Sequence, residues 1–306
     1  MQHDQSSIRT FFLGTDWWTD CDDCVALRIL ARAVKSGKAR LAGIVLNGCM
    51  EYSVASIDGF LTLEGLTDLP IGLDAEATDF GGNPPYQKRL SQYASVRRSN
   101  ADAEDAVRLY RRVLASAEQP LEMIEIGYLQ VVATLLESKG DDISPLDGVE
   151  LVRQKVSHVW VMAGKWDEPC GRENNFARND RSRRAGHVFC DMCPVPVTFL
   201  GFEVGEKVIS GRSLRSDDPL HNALCDHGSA KGRSSWDPML VALALDGDAA
   251  RAGYDTVYGT ASVDATSGCN HFNVHADGLH RYVVKRHPDA YYEALLEAAI
   301  RSGEHV

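Results

Sequence analysis

The sequence predicts an α/β fold, in which an open and mostly parallel central sheet is flanked by helices on both faces. Short apolar runs alternate along the chain with segments of helical periodicity. This alternation is typical of parallel strands joined by crossover helices. The 306 residues, of which 44% are apolar, are enough to bury a sizeable core. No linker or repeat is evident, so we expect one domain over residues 1–306.

The predicted elements follow one another in regular order. The first strand covers residues 8–13 and leads into a helix over 22–34, whose apolar positions include Val25, Ile29 and Leu30. Further strands are predicted over residues 41–46, 69–73, 122–126, 156–162 and 195–201, and further helices over residues 54–66, 101–117, 129–138, 238–245 and 289–301. Residues 75–100 are predicted to form a loop, and long loops in compact domains often act as lids.

The charge of the chain favours a small-molecule ligand. The formal net charge is −11, which repels nucleic acids and anionic membranes, so neither is expected as a partner. No run approaches the length of about 18 apolar residues that a membrane helix needs. Residues 1–10 lack the pattern of a signal peptide. We therefore expect a cytoplasmic enzyme.

The eight cysteines do not predict a dense disulfide framework in a chain of this length. Cys190 and Cys193 have the spacing of a metal-binding or redox pair, but no second pair lies nearby. A zinc site there would need ligands from elsewhere in the chain. Two buried reduced thiols are the favoured interpretation.

Four carboxylates, those of Asp16, Asp20, Asp22 and Asp23, follow the first strand and open the first helix. Ligands bind at the carboxyl ends of parallel strands, and carboxylates so close together repel one another unless a cation neutralises them. Oxygen-only ligands favour Ca²⁺ or Mg²⁺ over zinc. The alternative is helix capping, which explains Asp22 and Asp23 but not Asp16. A phosphatase-type Asp-x-Asp at Asp20–Asp22 fits poorly, because its first acid does not follow the strand directly.

Two further segments carry candidate site residues. Asp237, in Trp236-Asp237-Pro238, is either a distant metal ligand or a helix cap followed by proline. Residues 170–180 form a polar stretch that contains Glu173, Asn174 and Asn175. Amides and a carboxylate suit bidentate hydrogen bonding of sugar hydroxyls, although a plain surface loop is the alternative.

Taken together and in this order, these segments resemble the inosine–uridine nucleoside hydrolase family. The resemblance rests on the Asp loop with the Cys-Val-Ala-Leu that follows it, the second strand Leu-Ala-Gly-Ile-Val-Leu-Asn-Gly, Ile-Glu-Ile-Gly-Tyr-Leu at 124–129, Val-Met-Ala-Gly at 161–164, Glu-Asn-Asn-Phe at 173–176, and Trp-Asp-Pro at 236–238. The matches run from residue 8 to about residue 245.

The resemblance implies a calcium ion bound by Asp16, Asp23, Asp237 and the backbone carbonyl of Ile126. It also implies that Asp16 is the general base for a metal-bound water. It further implies that the side chains of Asp22, Glu173 and Asn175 hold the ribose hydroxyls, and Asn174 and Trp236 are further candidate substrate-binding residues. Family members suggest a homodimer or a homotetramer.

Two departures from the family pattern matter. The Asp loop is two residues longer than the commonest form, so that Asp16 is taken as the equivalent acid and Asp20 is an alternative for part of its role. Trp236 stands where many members carry a histidine that protonates the leaving group. Tryptophan cannot act as an acid at neutral pH, but it can stack on a base or a sugar face. His227, His271 and His280 are candidate replacements.

The expected function is therefore Ca²⁺-dependent hydrolysis of the N-glycosidic bond of a ribonucleoside or a similar ribosyl compound. Two alternatives remain open. One is a calcium- and ribose-binding protein with little turnover, and the other is a metal-dependent phosphohydrolase.

Overall fold

A computed structural model of the chain describes residues 8–18 and 20–301. The strands are β1 Arg9–Thr15, β2 Ala39–Leu46, β3 Ile71–Leu73, β4 Glu104–Asp105, β5 Leu121–Glu125, β6 Val156–Met162, β7 Val197–Leu200, β8 Ile209–Ser210, β9 Arg233–Ser234, β10 Tyr254–Val263, β11 Asn270–Val274 and β12 His280–Lys285. The helices are α1 Asp22–Lys35, α2 Ser53–Glu64, α3 Pro85–Leu90, α4 Ala106–Ser116, α5 Gln130–Glu137, α6 Gly148–Lys155, α7 Asn174–Ala177, α8 Asp180–Met192, α9 Phe202–Gly205, α10 Pro219–His227, α11 Trp236–Asp246 and α12 Asp289–Arg301.

Ten strands form one sheet in the order β11-β10-β12-β7-β6-β5-β1-β2-β3-β4. From β12 to β4 every neighbouring pair is parallel, and only the pairs that β10 makes with β11 and β12 are antiparallel. β8 and β9 form a separate antiparallel pair. The prediction of an open, mostly parallel central sheet is confirmed.

The central strands are buried on both faces, and because the side chains of a strand point alternately to its two sides, neighbouring residues enter different parts of the core. Phe11 and Leu13 of β1 belong to the core cluster that includes apolar residues of α1, α2, α11 and α12. Phe12, between them, belongs to the cluster that includes residues of α4, α5, α6 and α8. The helices therefore flank the sheet on both sides, as the sequence predicts.

The six predicted strands are all present, with ends that differ by at most two residues. The prediction of a loop over residues 75–100 is wrong in part, because that segment contains α3 and a 3-10 turn at Ser91–Tyr93. Pro85 begins α3, in agreement with the preference of proline for the first helical turn. The helix predicted from residue 101 begins only at Ala106, where the Asp105 carboxylate accepts a hydrogen bond from the backbone N–H of Arg108.

Several elements have no counterpart in the prediction. The longer ones are α6, α8, α10 and the three strands β10 to β12, and the shorter ones are β4, β8, β9, α7 and α9. Within the part of the chain that the structure describes, no helix is both long and apolar enough to span a bilayer. The expectation that residues 1–10 lack the pattern of a signal peptide falls largely on residues 1–7, which lie outside the described residues.

Candidate active site

A cavity of about 550 Å³ lies at the carboxyl ends of the central strands, where open parallel sheets bind their ligands. Asp16 follows β1, Ile126 follows β5 and Met162 ends β6, and these three strands are neighbours in the sheet. All nine residues that the sequence predicts for the site line this cavity: Asp16, Asp22, Asp23, Ile126, Glu173, Asn174, Asn175, Trp236 and Asp237. The volume is within the range of small-molecule sites.

Three buried carboxylates lie close together in the lining of the cavity. Asp22, Asp23 and Asp237 each place one oxygen within 4.8 Å of the other two. The first turns of α1 and α11 supply them, and the backbone N–H of Asp237 donates to Asp22 Oδ2 at 3.1 Å. The Thr15 hydroxyl donates to Asp23 Oδ1, which ties this carboxylate to the end of β1. The two ends of the predicted site, 215 residues apart, thus meet directly.

Burial raises the pKa of all four carboxyls of Asp16, Asp22, Asp23 and Asp237, and repulsion between them raises it further. Loss of solvation disfavours the charged form, and so does a like charge nearby. A cation among these oxygens would favour the charged forms. The candidate metal ligands are all carboxylate oxygens, so these residues fit a hard divalent cation such as Ca²⁺ and not a soft metal.

Asp16 lies beside this group of three carboxylates. Its Oδ1 accepts a hydrogen bond from the backbone N–H of Trp18 at 3.1 Å. The turn after β5 approaches Asp16 closely, because a Cβ on Gly127 would lie 2.3 Å from the Asp16 backbone nitrogen. Only glycine therefore fits at position 127 in this close approach of two segments that both line the cavity.

The two tryptophans that follow Asp16 have different positions. Trp17 has a positive φ of 50° and is fully buried, with its indole N–H donating to the Ser56 hydroxyl at 2.9 Å. Trp18 lines the cavity, and its indole N–H donates to the carbonyl of Gly82 at 2.9 Å. Of the two, only Trp18 is available to a ligand.

Asp20 forms an ion pair that the sequence did not indicate. Arg233 donates to both of its oxygens, from Nε to Oδ1 at 2.6 Å and from Nη2 to Oδ2. Asp20 lines the cavity, but both of its oxygens already accept hydrogen bonds from Arg233. Arg233 lies three residues before Trp236, and no local signal in the sequence connects it with an aspartate 213 residues away.

The loop before α7 holds Glu173 by two backbone groups. Its Oε1 accepts from the N–H of Asn175 at 2.7 Å, and its Oε2 accepts from the N–H of Gly164 at 3.0 Å. Burial raises the pKa of Glu173 to about 7. The Asn175 amide donates to the carbonyl of Met162 at 2.9 Å, and the Asn174 amide donates to the Tyr128 hydroxyl at 3.1 Å. The loop is thereby fixed against the ends of β6 and β5.

A disulfide joins Cys170, in this loop, to Cys269 before β11. Next to it, the backbone N–H of Asn270 donates to the carbonyl of Gly171 at 2.8 Å, and the Asn270 side chain bonds both backbone groups of Lys165. The sequence did not identify this pair of cysteines. Cys190 and Cys193 are buried free thiols, as the favoured interpretation has it.

Trp236 and Phe202 form an aromatic wall on one side of the cavity. Their rings stack with centroids 5.3 Å apart at an interplanar angle of 27°, and both rings are partly exposed. The Trp236 indole N–H donates to the carbonyl of Phe202 at 2.8 Å, which holds the ring in place. Sequence reasoning missed Phe202, which follows the strand β7 as the site residues Asp16 and Ile126 follow β1 and β5.

None of the three candidate histidines lines the cavity. His280 is buried on β12, where its Nδ1 accepts from the backbone N–H of Ala261 at 2.9 Å. His271 lies on β11 beside the Cys269 sulfur. His227 is the nearest, with a ring nitrogen within 4.8 Å of a carboxylate oxygen of Asp20 and of the Cys21 sulfur.

Solved structures of nucleoside hydrolases share this architecture. The plant nucleoside hydrolase PpNRh1 superposes with a TM-score of 0.69 at 15% identity, over 96% of this chain and 99% of that one. The inosine-uridine preferring nucleoside hydrolase from Bacillus anthracis gives a TM-score of 0.64 at 14% identity, over 96% and 99%. The type III effector XopQ, complexed with adenosine diphosphate ribose, gives 0.67 at 16% identity, over 97% and 94%.

No family model matches the sequence, and no curated protein matches it. Identities of 14–16% establish a shared fold and not a shared activity. The chain therefore has a nucleoside hydrolase-like fold.

Proposed function

We propose that the chain is a calcium-dependent N-ribosyl hydrolase, which cleaves a ribonucleoside or a similar ribosyl compound into ribose and a free base. The observation that carries the proposal is the meeting of Asp22, Asp23 and Asp237 in a cavity that Asp16 and Glu173 also line. Nucleoside hydrolases among the structural neighbours support it at the level of the fold.

In this proposal Ca²⁺ is bound by Asp16, Asp23, Asp237 and the backbone carbonyl of Ile126, and Asp22 is close enough to share the ion. Bound there, the cation would position a water molecule and lower its pKa. The chain has seven carboxylates around the cavity, so a divalent cation removes part of a large electrostatic penalty.

The chain's own residues supply the remaining steps. Asp16 accepts the proton of the attacking water, for which its place at the end of β1 is suitable. Asp22, Glu173, Asn174 and Asn175 hold the ribose hydroxyls by hydrogen bonds. As the glycosidic bond breaks, the sugar acquires positive charge, and the surrounding carboxylates stabilise that charge.

A second candidate function is a protein that binds a ribosyl ligand with little turnover. The observation in its favour is that the Trp236 N–H is engaged by Phe202 and that no histidine among the described residues lines the cavity. One of the structural neighbours, the type III effector XopQ, was solved in complex with adenosine diphosphate ribose.

The test is release of ribose from a panel of ribosides, with calcium and with a chelator. We expect release with calcium, its loss on chelation, and its loss in Asp16→Ala. Asp277→Ala, which removes an exposed carboxylate away from the cavity, is the matched control and retains the activity. Binding of ribose without cleavage of any riboside would favour the second function, and phosphate release from a phosphomonoester would favour a phosphohydrolase.

Three further expectations belong to the same proposal. They are a single domain over residues 1–306, a homodimer or homotetramer, and a cytoplasmic location. Size-exclusion chromatography with light scattering tests the second of them directly.

A further inference from the structure

The leaving-group side of the cavity is the part that the proposed function leaves unexplained. When an N-glycosidic bond breaks, its electron pair stays on the ring nitrogen of the base. A purine or pyrimidine then departs as an anion unless an acid protonates it, and such acid catalysis is worth roughly 10²–10⁴ in rate. The cavity must therefore offer an acid or accept a substrate that does not need one.

Among the described residues that line the cavity there is no histidine, tyrosine or cysteine thiol, since Cys170 is in a disulfide. The Trp236 indole N–H is held by a carbonyl oxygen. Lys165 is bound by Glu168 and Asp167, which raise its pKa above the usual value and so make it a poor proton donor. Glu173 accepts backbone hydrogen bonds at both oxygens, which favour its charged form against the effect of burial, and the proposed function assigns it to the ribose hydroxyls and not to the base. The described lining thus favours a substrate whose base leaves without protonation.

The charge of the lining points to a cationic ring. Seven carboxylates and two basic side chains surround the cavity, so negative charge remains in excess after a divalent cation is bound. Phe202 and Trp236 stack on each other on one side of the cavity, and the Arg233 guanidinium carbon lies 5.4 Å from the centroid of the Trp236 ring, so this aromatic pair already attracts one flat cation. A ring nitrogen that is positively charged when ribosylated becomes neutral on bond cleavage.

Arg172 adds a second requirement. It immediately precedes Glu173, lines the cavity, and is exposed. Its guanidinium forms no hydrogen bond or ion pair with any residue that the structure describes. An unpaired arginine at the mouth of an otherwise acidic cavity suits an anionic substituent, because the guanidinium binds a carboxylate in a bidentate manner.

From these observations we propose that the substrate is a riboside of a pyridinium-type ring that carries a carboxylate, which Arg172 binds while the ring packs on the partly exposed Phe202. The proposal rests on the proposed N-ribosyl hydrolase function and names its substrate class. The bond between the anomeric carbon and the ring nitrogen breaks, and its electron pair neutralises that nitrogen. Water bonds to the anomeric carbon, and the proton that it loses passes to Asp16 and then to solvent.

The experiment compares N-ribosylnicotinate, N-ribosylnicotinamide, inosine and uridine as substrates of the calcium-loaded full chain. We expect kcat/KM for N-ribosylnicotinate to exceed that for inosine and uridine by about 100-fold or more, the contribution of an acid that the pyridinium substrate does not need. Comparable or faster cleavage of inosine or uridine would overturn the proposal. Failure to cleave any of the four would instead reject the hydrolase function itself.

The same assay with Arg172→Ala tests the second requirement. The preference for N-ribosylnicotinate over N-ribosylnicotinamide is expected to fall by about fivefold, the size of an exposed ion pair. Arg40→Ala is the matched control, since Arg40 is an exposed arginine on β2 near the opposite, amino-terminal end of the strand. An unchanged preference in Arg172→Ala would contradict the assignment, and so would loss of inosine cleavage in His227→Gln, which would identify His227 as a leaving-group acid.

Discussion

Asp237 shows at the scale of one residue how a binding site is built at the expense of stability. Its carboxylate is buried next to Asp22 and Asp23, and burial together with these charges raises its pKa. Buried groups of like charge destabilise the fold unless a cation or a proton neutralises them. The three carboxylates are therefore expected to lower the free energy of unfolding without the cation and to raise it when the cation is bound.

Asp237→Asn is expected to change the free energy of unfolding with opposite signs in the two conditions. In chelator the variant is more stable than the natural chain by roughly 1–2 kcal/mol, because one repelling charge is gone. With saturating calcium it is less stable, because loss of a charged ligand is expected to lower its affinity for the ion by more than about 100-fold, or about 2.7 kcal/mol, which outweighs that gain. Urea unfolding with and without calcium measures both, and Asp277→Asn serves as the control. A loss of stability in chelator would contradict the prediction.

Gly127 is the residue on which the approach of two strand ends depends. An added Cβ would lie 2.3 Å from the Asp16 nitrogen and 2.5 Å from Asn47 Oδ1, so the turn must move. Gly127→Ala is expected to lower stability by roughly 2–4 kcal/mol and to weaken calcium binding. Gly82→Ala, whose Cβ would meet no atom within 4 Å, is the matched control. Isothermal titration with calcium and thermal unfolding measure the two effects, and equal behaviour of the two variants would refute this role.

At the scale of elements, the loop that carries Glu173 depends on contacts with the distant hairpin of β10 and β11. The Cys170–Cys269 disulfide and the Gly171–Asn270 bridge hold it there. Cys269→Ser is expected to lower stability by about 2–4 kcal/mol and to weaken ligand binding. A reducing agent is expected to have the same effect on the natural chain and no further effect on the variant. Identical melting temperatures of the oxidised and reduced natural chain would contradict this.

The sequence predicted those elements that carry their own signal. The first strand, the acid-rich start of α1 and the Pro-marked start of α11 are local patterns, and a cluster of like charges itself suggests a cation. The strands β10 to β12 were not predicted, because their place in the sheet depends on the pairing of β12 with β7, about 80 residues earlier in the chain. Arg233 and Phe202 escaped for the same reason, since their partners in the site are distant in sequence.

At the scale of the whole molecule, His158 links folding to pH. It is buried on β6, where its Nε2 lies 2.8 Å from the Thr198 hydroxyl, and burial, then Arg281 and Arg9, lower its pKa to about 3. The unfolded chain binds a proton at this histidine once the pH falls below about 6.5, whereas the folded chain does not until about pH 3. His158 thus does not reduce the free energy of unfolding above pH 6.5, and it reduces that free energy progressively as the pH falls from 6.5 to about 3.

Between pH 7 and pH 5, His158 is expected to lower the free energy of unfolding by about 2 kcal/mol. His158→Gln keeps a hydrogen-bonding side chain that does not titrate, so its stability is expected to change less between pH 7 and pH 5. Denaturant unfolding across this interval measures the difference, and His271→Gln, on exposed β11, is the control. Equal pH dependence of the natural chain and His158→Gln would contradict the prediction.

The contact between Asp22 and Asp237 also has a meaning in terms of chain connectivity. The two residues close a loop of 215 residues, which includes most strands of the sheet. A covalent link at this place would restrict the unfolded chain by on the order of 5 kcal/mol, and an ion shared by these carboxylates acts as a reversible link of the same kind. Calcium at the proposed site would then fasten the first helix to the penultimate one, at a contact that the apolar core beneath it already holds together.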